Sequence, residues 1–293
     1  QLINVWPEEQ TGFAPRDLKY RFAWTFPILF SPHNSDVIYV GGNHVFKSQN
    51  EGMSWEKISP DLSRKDQSKL DFSGGPLTGD SAGAEQYATC SSVVESIHRE
   101  GEIWAATDDG LVHVTRDGGK NWHNVTPKSI PEWAYIGNIE ISVHDPDTIY
   151  LAATRYKLSD YKPYLFKTSN GGKTWNQLDN NFPKNEITRV IRSDTIAPGL
   201  LFVGTETGIY ISNDDGEKWN KLSGKFPVVP VYDLKIKNSD LVVATHGRSF
   251  WILDNIEVLR QNIQPRSNFK LFAVPQTVRQ NIHWSSGIFN GDG

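Results

Sequence analysis

Short apolar runs alternate with tight polar turns along most of the chain. The clearest apolar runs cover residues 37–40, 103–106, 149–152, 200–203 and 241–244. A polar turn precedes each run, as at 145–148, and a further apolar stretch such as 139–143 precedes that turn. Runs of this length that are bounded by turn residues are typical of β-strands. No amphipathic helix of useful length competes with this pattern, and the sequence therefore predicts an all-β fold.

Four segments share the template Ser/Thr-x-Asp/Asn-x-Gly-x-x-Trp, and we call them the octets. Their template residues are Ser48, Asn50, Gly52, Trp55, Thr115, Asp117, Gly119, Trp122, Thr168, Asn170, Gly172, Trp175, Ser212, Asp214, Gly216 and Trp219. The Asp or Asn side chain can accept hydrogen bonds from nearby backbone N–H groups, and the glycine can adopt a positive φ at little cost. Each octet is therefore predicted to be a hairpin turn with a structural role, and its tryptophan opens the next strand.

The apolar runs and the octets fall at fixed places in a larger repeat. One unit reads strand A, turn, strand B, loop, strand C, octet and strand D, at intervals of about 45 residues, which is the pattern of a β-propeller blade. We count five four-stranded antiparallel blades over residues 1–256, and the fifth has 245–254 in place of an octet. Five blades are few for a closed ring, so we expect them to be part of a ring of about seven blades or more. Residues 257–293 are predicted to be a C-terminal extension, with one closing strand at 269–274 followed by a flexible end.

Charge and cysteine content exclude several kinds of partner and site. The net charge is −4, and no basic cluster is interleaved with aromatic residues, which argues against a nucleic-acid partner. No stretch approaches the roughly 18 apolar residues of a transmembrane segment. Cys90 is the single cysteine, so an internal disulfide and a zinc site built from cysteines are excluded. The histidines lack the spacing of metal ligands, and we expect neither a metal nor a cofactor.

Blade geometry predicts which loops could hold a ligand. In an antiparallel blade the D–A and B–C loops emerge on one face, and the octets emerge on the opposite face. Long loops on a rigid scaffold are where binding residues usually lie. The candidates for the ligand face are Tyr87, Asp108, Trp133, Arg155, Tyr156 and Arg248.

Candidate catalytic residues are few, and their chemistry stays open. A glycosidase needs two carboxyl groups about 5–10 Å apart across a cleft. Glu85, Asp109 and Glu206 are the carboxyl groups expected near the ring centre, and His246 could act as a general base. The alternative is that these groups cap strand ends and bond to backbone atoms or to arginines.

The octets resemble the Asp-box, or BNR, repeat of sialidases, xyloglucanase-type endoglucanases, photosystem assembly factors and sortilin-type receptors. Further stretches resemble large bacterial proteins called sortilin-like or BNR-repeat glycosyl hydrolases; they are 20–24, 59–62, 73–76, 104–119 and 244–254. The resemblance covers residues from about 1 to 256. It implies that repeats lie upstream, and that the protein is bacterial and exported, with an extracellular, periplasmic or cell-surface location. The hydrolase name of that family rests largely on repeat similarity. The resemblance is therefore better evidence for the fold of this protein than for a hydrolase reaction.

Two functions follow as hypotheses. The first is a noncatalytic binding and interaction propeller that acts within a larger protein or assembly, with a protein or glycan ligand and an upstream propeller segment or partner chain. The alternative is a glycoside hydrolase of endoglucanase type that uses a pair of carboxyl groups in a cleft. A third idea is an assembly factor that binds protein segments along the ring face.

Overall fold

The computed structural model describes residues 3–74, 77, 81, 86–222, 224–261 and 271–273. Over these residues the chain forms five antiparallel sheets in chain order, each of which corresponds to one blade. Four sheets have four strands, and the fifth has three within the described residues. The prediction of an all-β fold with about five antiparallel blades is therefore confirmed.

The strands follow one another from the inside of each blade to its outer edge. The first blade contains β1 (Ile28–Phe30), β2 (Ile38–Gly41), β3 (Val45–Ser48) and β4 (Glu56–Lys57). The second contains β5 (Cys90–Glu95), β6 (Ile103–Thr107), β7 (Val112–Thr115) and β8 (His123–Asn124). The third contains β9 (Tyr135–Ile141), β10 (Ile149–Arg155), β11 (Asp160–Thr168) and β12 (Asn176–Gln177). The fourth contains β13 (Thr188–Ser193), β14 (Leu201–Thr205), β15 (Ile209–Ser212) and β16 (Asn220–Lys221), and the fifth contains β17 (Val231–Lys237), β18 (Asp240–Thr245) and β19 (Phe250–Leu253).

Little of the described chain is helical. One α-helix, α1 (Glu257–Gln261), follows the fifth blade, and three single turns of 3₁₀-helix lie in loops at Pro15–Asp17, Gln67–Lys69 and Tyr156–Leu158. Of the closing strand expected at 269–274, residues 269–270 and 274 lie outside the described residues, and 271–273 are not in a strand.

The core of the molecule lies between neighbouring blades. Each inner strand packs against the blade next to it, as β5 does against β9 and β13 does against β17. Alternate side chains of each strand face opposite directions, so blades two, three and four each contribute to two apolar layers, whereas blades one and five each contribute to one. Ile103 faces the first blade, for example, and the adjacent Trp104 faces the third. The strands are therefore apolar on both faces, which explains why the runs lack a clean alternation of polar and apolar residues.

Each octet forms the same hydrogen-bonded turn. In the second blade the Thr115 hydroxyl accepts from the Gly119 N–H at 3.0 Å, and the Asp117 carboxylate accepts from the Asn121 N–H at 2.9 Å. The corresponding bonds recur in the other three octets. The turn is thus closed by its own side chains, and the strands on either side are held in register.

The octet tryptophans join neighbouring blades. The indole N–H of Trp122 donates to the carbonyl of Ile58 in the first blade at 2.8 Å. Trp175 and Trp219 donate in the same way to the carbonyls of Val125 and Leu178 at 2.7 Å. Each acceptor is the residue that directly follows the outer strand of the preceding blade.

The two adjacent glycines of the second octet give a matched test of this contact. Both have positive φ, but a Cβ on Gly119 would lie 2.5 Å from the Ile58 carbonyl oxygen, whereas a Cβ on Gly118 would meet no atom within 4 Å. We expect Gly118→Ala to cost about 1 kcal/mol for its backbone conformation. Gly119→Ala should cost at least about 2 kcal/mol because the blades must also separate. Urea unfolding measures the free energy of unfolding of both variants. Equal losses of this free energy would show that the close contact between the blades does not add to the cost of a side chain at Gly119.

Candidate functional site

A cavity of about 630 Å³ lies where the D–A and B–C loops meet the inner strands. Its lining residues are Ala23, Trp24, Thr25, Lys69, Gln86, Tyr87, Asp108, Trp133, Tyr135, Gly137, Thr154, Arg155, Tyr156, Lys157, Leu158, Arg189 and Tyr232. Six of these side chains are aromatic rings, and we call the site the aromatic cavity. The segments that form it come from the first blade's leading loop and from blades two to five.

Five of the six residues expected on the ligand face line this cavity. They are Tyr87, Asp108, Trp133, Arg155 and Tyr156. Arg248 is exposed and is not among the lining residues. His246 is also exposed, and its ring stacks on Tyr232 with centroids 5.1 Å apart, so it lies behind one of the lining rings.

Three lining residues reach the cavity through irregularities in the inner strands. In blades three, four and five the pairing of the first two strands shifts by one residue, which leaves Gly137, Arg189 and Tyr232 without a directly opposed partner. A β-bulge of this kind turns its extra residue out of the sheet and is common beside functional sites. Arg189 and Tyr232 did not emerge from the sequence as binding residues, since an extra residue in a strand leaves no clear mark in an apolar run.

Asp108 is the only carboxyl side chain among the described lining residues. Its two oxygens accept from the Thr89 N–H at 2.9 Å and from the Thr89 hydroxyl at 3.1 Å. Burial disfavours the charged form and raises the pKa of Asp108 to about 7. The carboxyl group therefore exchanges its proton near neutral pH at the wall of the cavity.

The other candidate catalytic carboxyl groups bond elsewhere. Asp109 is almost fully buried and accepts from the Thr107 hydroxyl at 2.6 Å and from the Arg64 N–H at 2.8 Å. Glu206 forms an ion pair with Arg189 at 2.5 Å. Neither lines the cavity. Glu85 lies outside the described residues, one position before the lining residue Gln86.

Cations and rings are interleaved around the cavity. The Arg189 guanidinium lies 4.3 Å from the ring centre of Tyr232 and 5.2 Å from that of Tyr156. Lys69 lies 5.7 Å from the ring centre of Trp133. Trp133 itself has a φ of 62°, a value that costs about 1–3 kcal/mol outside glycine. Three of the six rings therefore make cation–π contacts, and one of these three, Trp133, stands on a strained backbone.

The described chain offers no obvious metal site. No group of three or more His, Cys, Asp or Glu side chains that could hold a metal ion occurs among the described residues. Nor does this part of the chain contain a helix long and apolar enough to cross a membrane.

Comparison with known proteins gives one curated relative and many structural neighbours. No protein-family model matches the chain. A probable oligoxyloglucan-reducing end-specific xyloglucanase of Neosartorya fischeri is 27% identical over 114 residues, which cover 38% of this chain and 14% of that protein. The GH74 xyloglucanase of Xanthomonas campestris superposes with a TM-score of 0.60 at 16% identity, over 78% of this chain and 36% of that one. YCF48 from Cyanidioschyzon merolae superposes with a TM-score of 0.53 at 14% identity, over 76% and 67% of the two chains.

These likenesses establish the β-propeller fold. The chain spans about a third of the length of the Xanthomonas campestris enzyme and about a seventh of the curated relative.

The buried Asp108 carboxyl group predicts a specific pH dependence. Its folded-state pKa of about 7 lies above the value of about 4 in an unfolded chain, so the folded protein holds the proton more tightly. The contribution of Asp108 to the free energy of unfolding should therefore fall as pH rises from about 4 to about 7. Asp108→Asn should flatten this fall, whereas Asp36→Asn, at an exposed carboxyl group, should leave it unchanged. Urea unfolding at several pH values measures the effect, and parallel curves for the wild type and Asp108→Asn would contradict it.

Proposed function

We propose that this propeller is a noncatalytic glycan-binding module that acts within a larger exported protein or assembly. The observation that carries the proposal is the composition of the aromatic cavity. It presents six aromatic rings but, among the described residues, a single carboxyl group. Glycoside hydrolysis in most families needs two such groups facing one another.

The cavity has the features of a binding site for a neutral, hydroxyl-rich ligand. Aromatic rings offer flat apolar surfaces on which the C–H faces of a sugar ring can pack, and polar groups at the margin fix the ligand's orientation. Arg155 lines the cavity and bonds to Asp160 through Nη1, but its Nε is buried and has no partner in the described structure. A buried donor of this kind is costly unless a ligand or water accepts from it. A sugar hydroxyl is a suitable acceptor.

The relatives support a glycan over a peptide as the ligand. The curated relative is named for action on oligoxyloglucan, and the Xanthomonas campestris neighbour is named a xyloglucanase. Both are longer than this chain, which supports a role within a larger molecule. The sequence resemblance to exported Asp-box proteins supports an extracellular or cell-surface location.

Asp108 favours a second candidate, a glycoside hydrolase. A carboxyl group with a pKa of about 7 is protonated often enough near neutral pH to act as a general acid. The second carboxyl group of such an enzyme would have to come from outside the described lining residues. Glu85 is one candidate within this chain.

Binding of xyloglucan oligosaccharides separates the two candidates. Isothermal titration should show binding to this chain without release of new reducing ends. Trp133→Ala and Tyr156→Ala should each weaken binding by about tenfold, which corresponds to about 1.4 kcal/mol of lost ring contact. Phe250→Ala removes an exposed ring outside the cavity and should have no effect.

Hydrolysis that disappears in Asp108→Asn would establish the enzyme instead. Hydrolysis that survives in Asp108→Asn but disappears in Asp109→Ala or Glu206→Ala would place the reaction outside the aromatic cavity. Absence of binding together with absence of hydrolysis would reject the glycan proposal.

A further inference from the structure

Trp55 differs from the other octet tryptophans in one respect. Trp122, Trp175 and Trp219 each donate their indole N–H to a carbonyl of the preceding blade. The Trp55 indole nitrogen is also buried, but it has no hydrogen-bond partner within the described structure. A buried unpaired donor is unfavourable and marks a place where an acceptor is missing.

The inner strand of the same blade is exposed where the inner strands of the other blades are buried. Ile28 of β1 pairs with Val40, and its side chain is 58% exposed. At the same register position the inner strands of the other blades carry Val93, Ile139, Ile191 and Leu234, of which none is more than 5% exposed. Phe30, two residues further along β1 on the same side, is 64% exposed. The face of the first blade that corresponds to a buried interface elsewhere is therefore open at its inner edge.

The outer part of this face is covered by the chain's own leading segment. Ile3 lies against Gly52, since a Cβ on that glycine would be 2.8 Å from the Ile3 Cβ. In the next blade Ile58 lies against Gly119 at the same 2.8 Å, and it directly follows the outer strand β4. Ile3 thus occupies the place of the residue that follows the outer strand of a preceding blade.

Space remains between the leading segment and the blade. A cavity of about 380 Å³ is lined there by Ile3, Trp6, Ile28, Val40 and Trp55 among others. The leading segment therefore covers this face without filling it, and its described residues supply no acceptor for the Trp55 indole N–H.

We propose that the open face of the first blade is the docking site of a further octet-type blade of the same polypeptide, for which Ile3 is the residue that follows the outer strand. Because the acceptor at the other interfaces is the carbonyl of the residue that follows the outer strand, such a blade would hold the Ile3 carbonyl at the Trp55 indole N–H. It would also present apolar side chains to Ile28 and Phe30. The model for this docking is the set of three interfaces that join neighbouring blades from one to four. Each of them combines an indole-to-carbonyl hydrogen bond with apolar packing of the inner strand. The inference extends the larger-assembly part of the proposed function and does not depend on the ligand of the aromatic cavity.

A second copy of this chain fits the site less well. A second copy would have to offer the exposed face of its last blade. In that fifth blade Phe250 and Ile252 are 74% and 59% exposed. That blade has three strands within the described residues, and it lacks an octet. Within the described residues it therefore lacks the outer strand whose following residue accepts from the indole in the other blades.

Photo-crosslinking in the full-length gene product tests the proposal directly. The photoreactive residue p-benzoylphenylalanine is placed at Phe30, and a control places it at Ile196, an exposed apolar residue in a turn of the fourth blade. We expect the probe at position 30 to link to a segment of the same polypeptide outside residues 1–293 that carries the octet template, and the probe at 196 to form no such link. Links confined to residues 3–27, links to residues 240–253 of a second copy, or links to a different polypeptide would each overturn the proposal.

Tryptophan substitutions give a second readout that does not depend on crosslinking. In the 293-residue chain Trp122→Phe should lower the urea midpoint because the Ile58 carbonyl loses its donor, whereas Trp55→Phe should not lower it. In the full-length product Trp55→Phe should lower the midpoint as Trp122→Phe does. No loss from Trp55→Phe in the full-length product would mean that the indole has no partner there, which would also overturn the proposal. Glycan binding by the aromatic cavity is measured separately, so failure of either idea leaves the other testable.

Discussion

The contact of an octet with the preceding blade determines how this molecule is assembled. At each of three interfaces an indole N–H donates to the backbone carbonyl of the residue that follows an outer strand. That same residue packs so closely on the octet glycine that a Cβ there would lie 2.5–3.1 Å from it. A side chain at the glycine would push the blades apart, and an indole without its acceptor would leave a buried donor unpaired. The octet therefore acts both as a turn within its own blade and as the connection to its neighbour. Sheets that could each slide on an apolar layer are fixed at one relative position.

Fixing the outer rim leaves the opposite face free for function. The octets all lie in the C–D turns, and their hydroxyl, carboxylate and amide oxygens accept hydrogen bonds from N–H groups of the same turn. Residues on the opposite face do not close these turns. There the bulges of the inner strands turn Arg189 and Tyr232 towards the aromatic cavity. The Arg189 guanidinium then lies near Tyr156 from the third blade and Tyr232 from the fifth. A ligand in the cavity would consequently contact several blades at once.

The sequence predicts the fold well and the cavity only in part, for physical reasons that differ. The octets are local motifs whose hydrogen bonds join residues two to four positions apart, so their geometry can be read from one segment. The loop residues Asp108 and Tyr156 could be assigned to the ligand face because chain order alone fixes which loops share a face. Arg189 and Tyr232 depend on where strand pairing shifts, which is a property of two strands together. The burial that sets the pKa of Asp108, and the partners that occupy Asp109 and Glu206, likewise depend on contacts distant along the chain.

The surroundings of Asp108 favour binding over catalysis as the use of this cavity. Both oxygens of its carboxyl group accept from Thr89, whose N–H and hydroxyl lie in the loop directly before β5. A general acid has to present its proton to the glycosidic oxygen, whereas these bonds point the carboxyl group back into its own blade. The same bonds link the B–C loop to the D–A loop of one blade, and so they fix the segment that leads from Tyr87 into the inner strand. Asp108 thus has a sufficient structural role in holding the wall of the cavity, and its raised pKa follows from that burial without any need for a reaction.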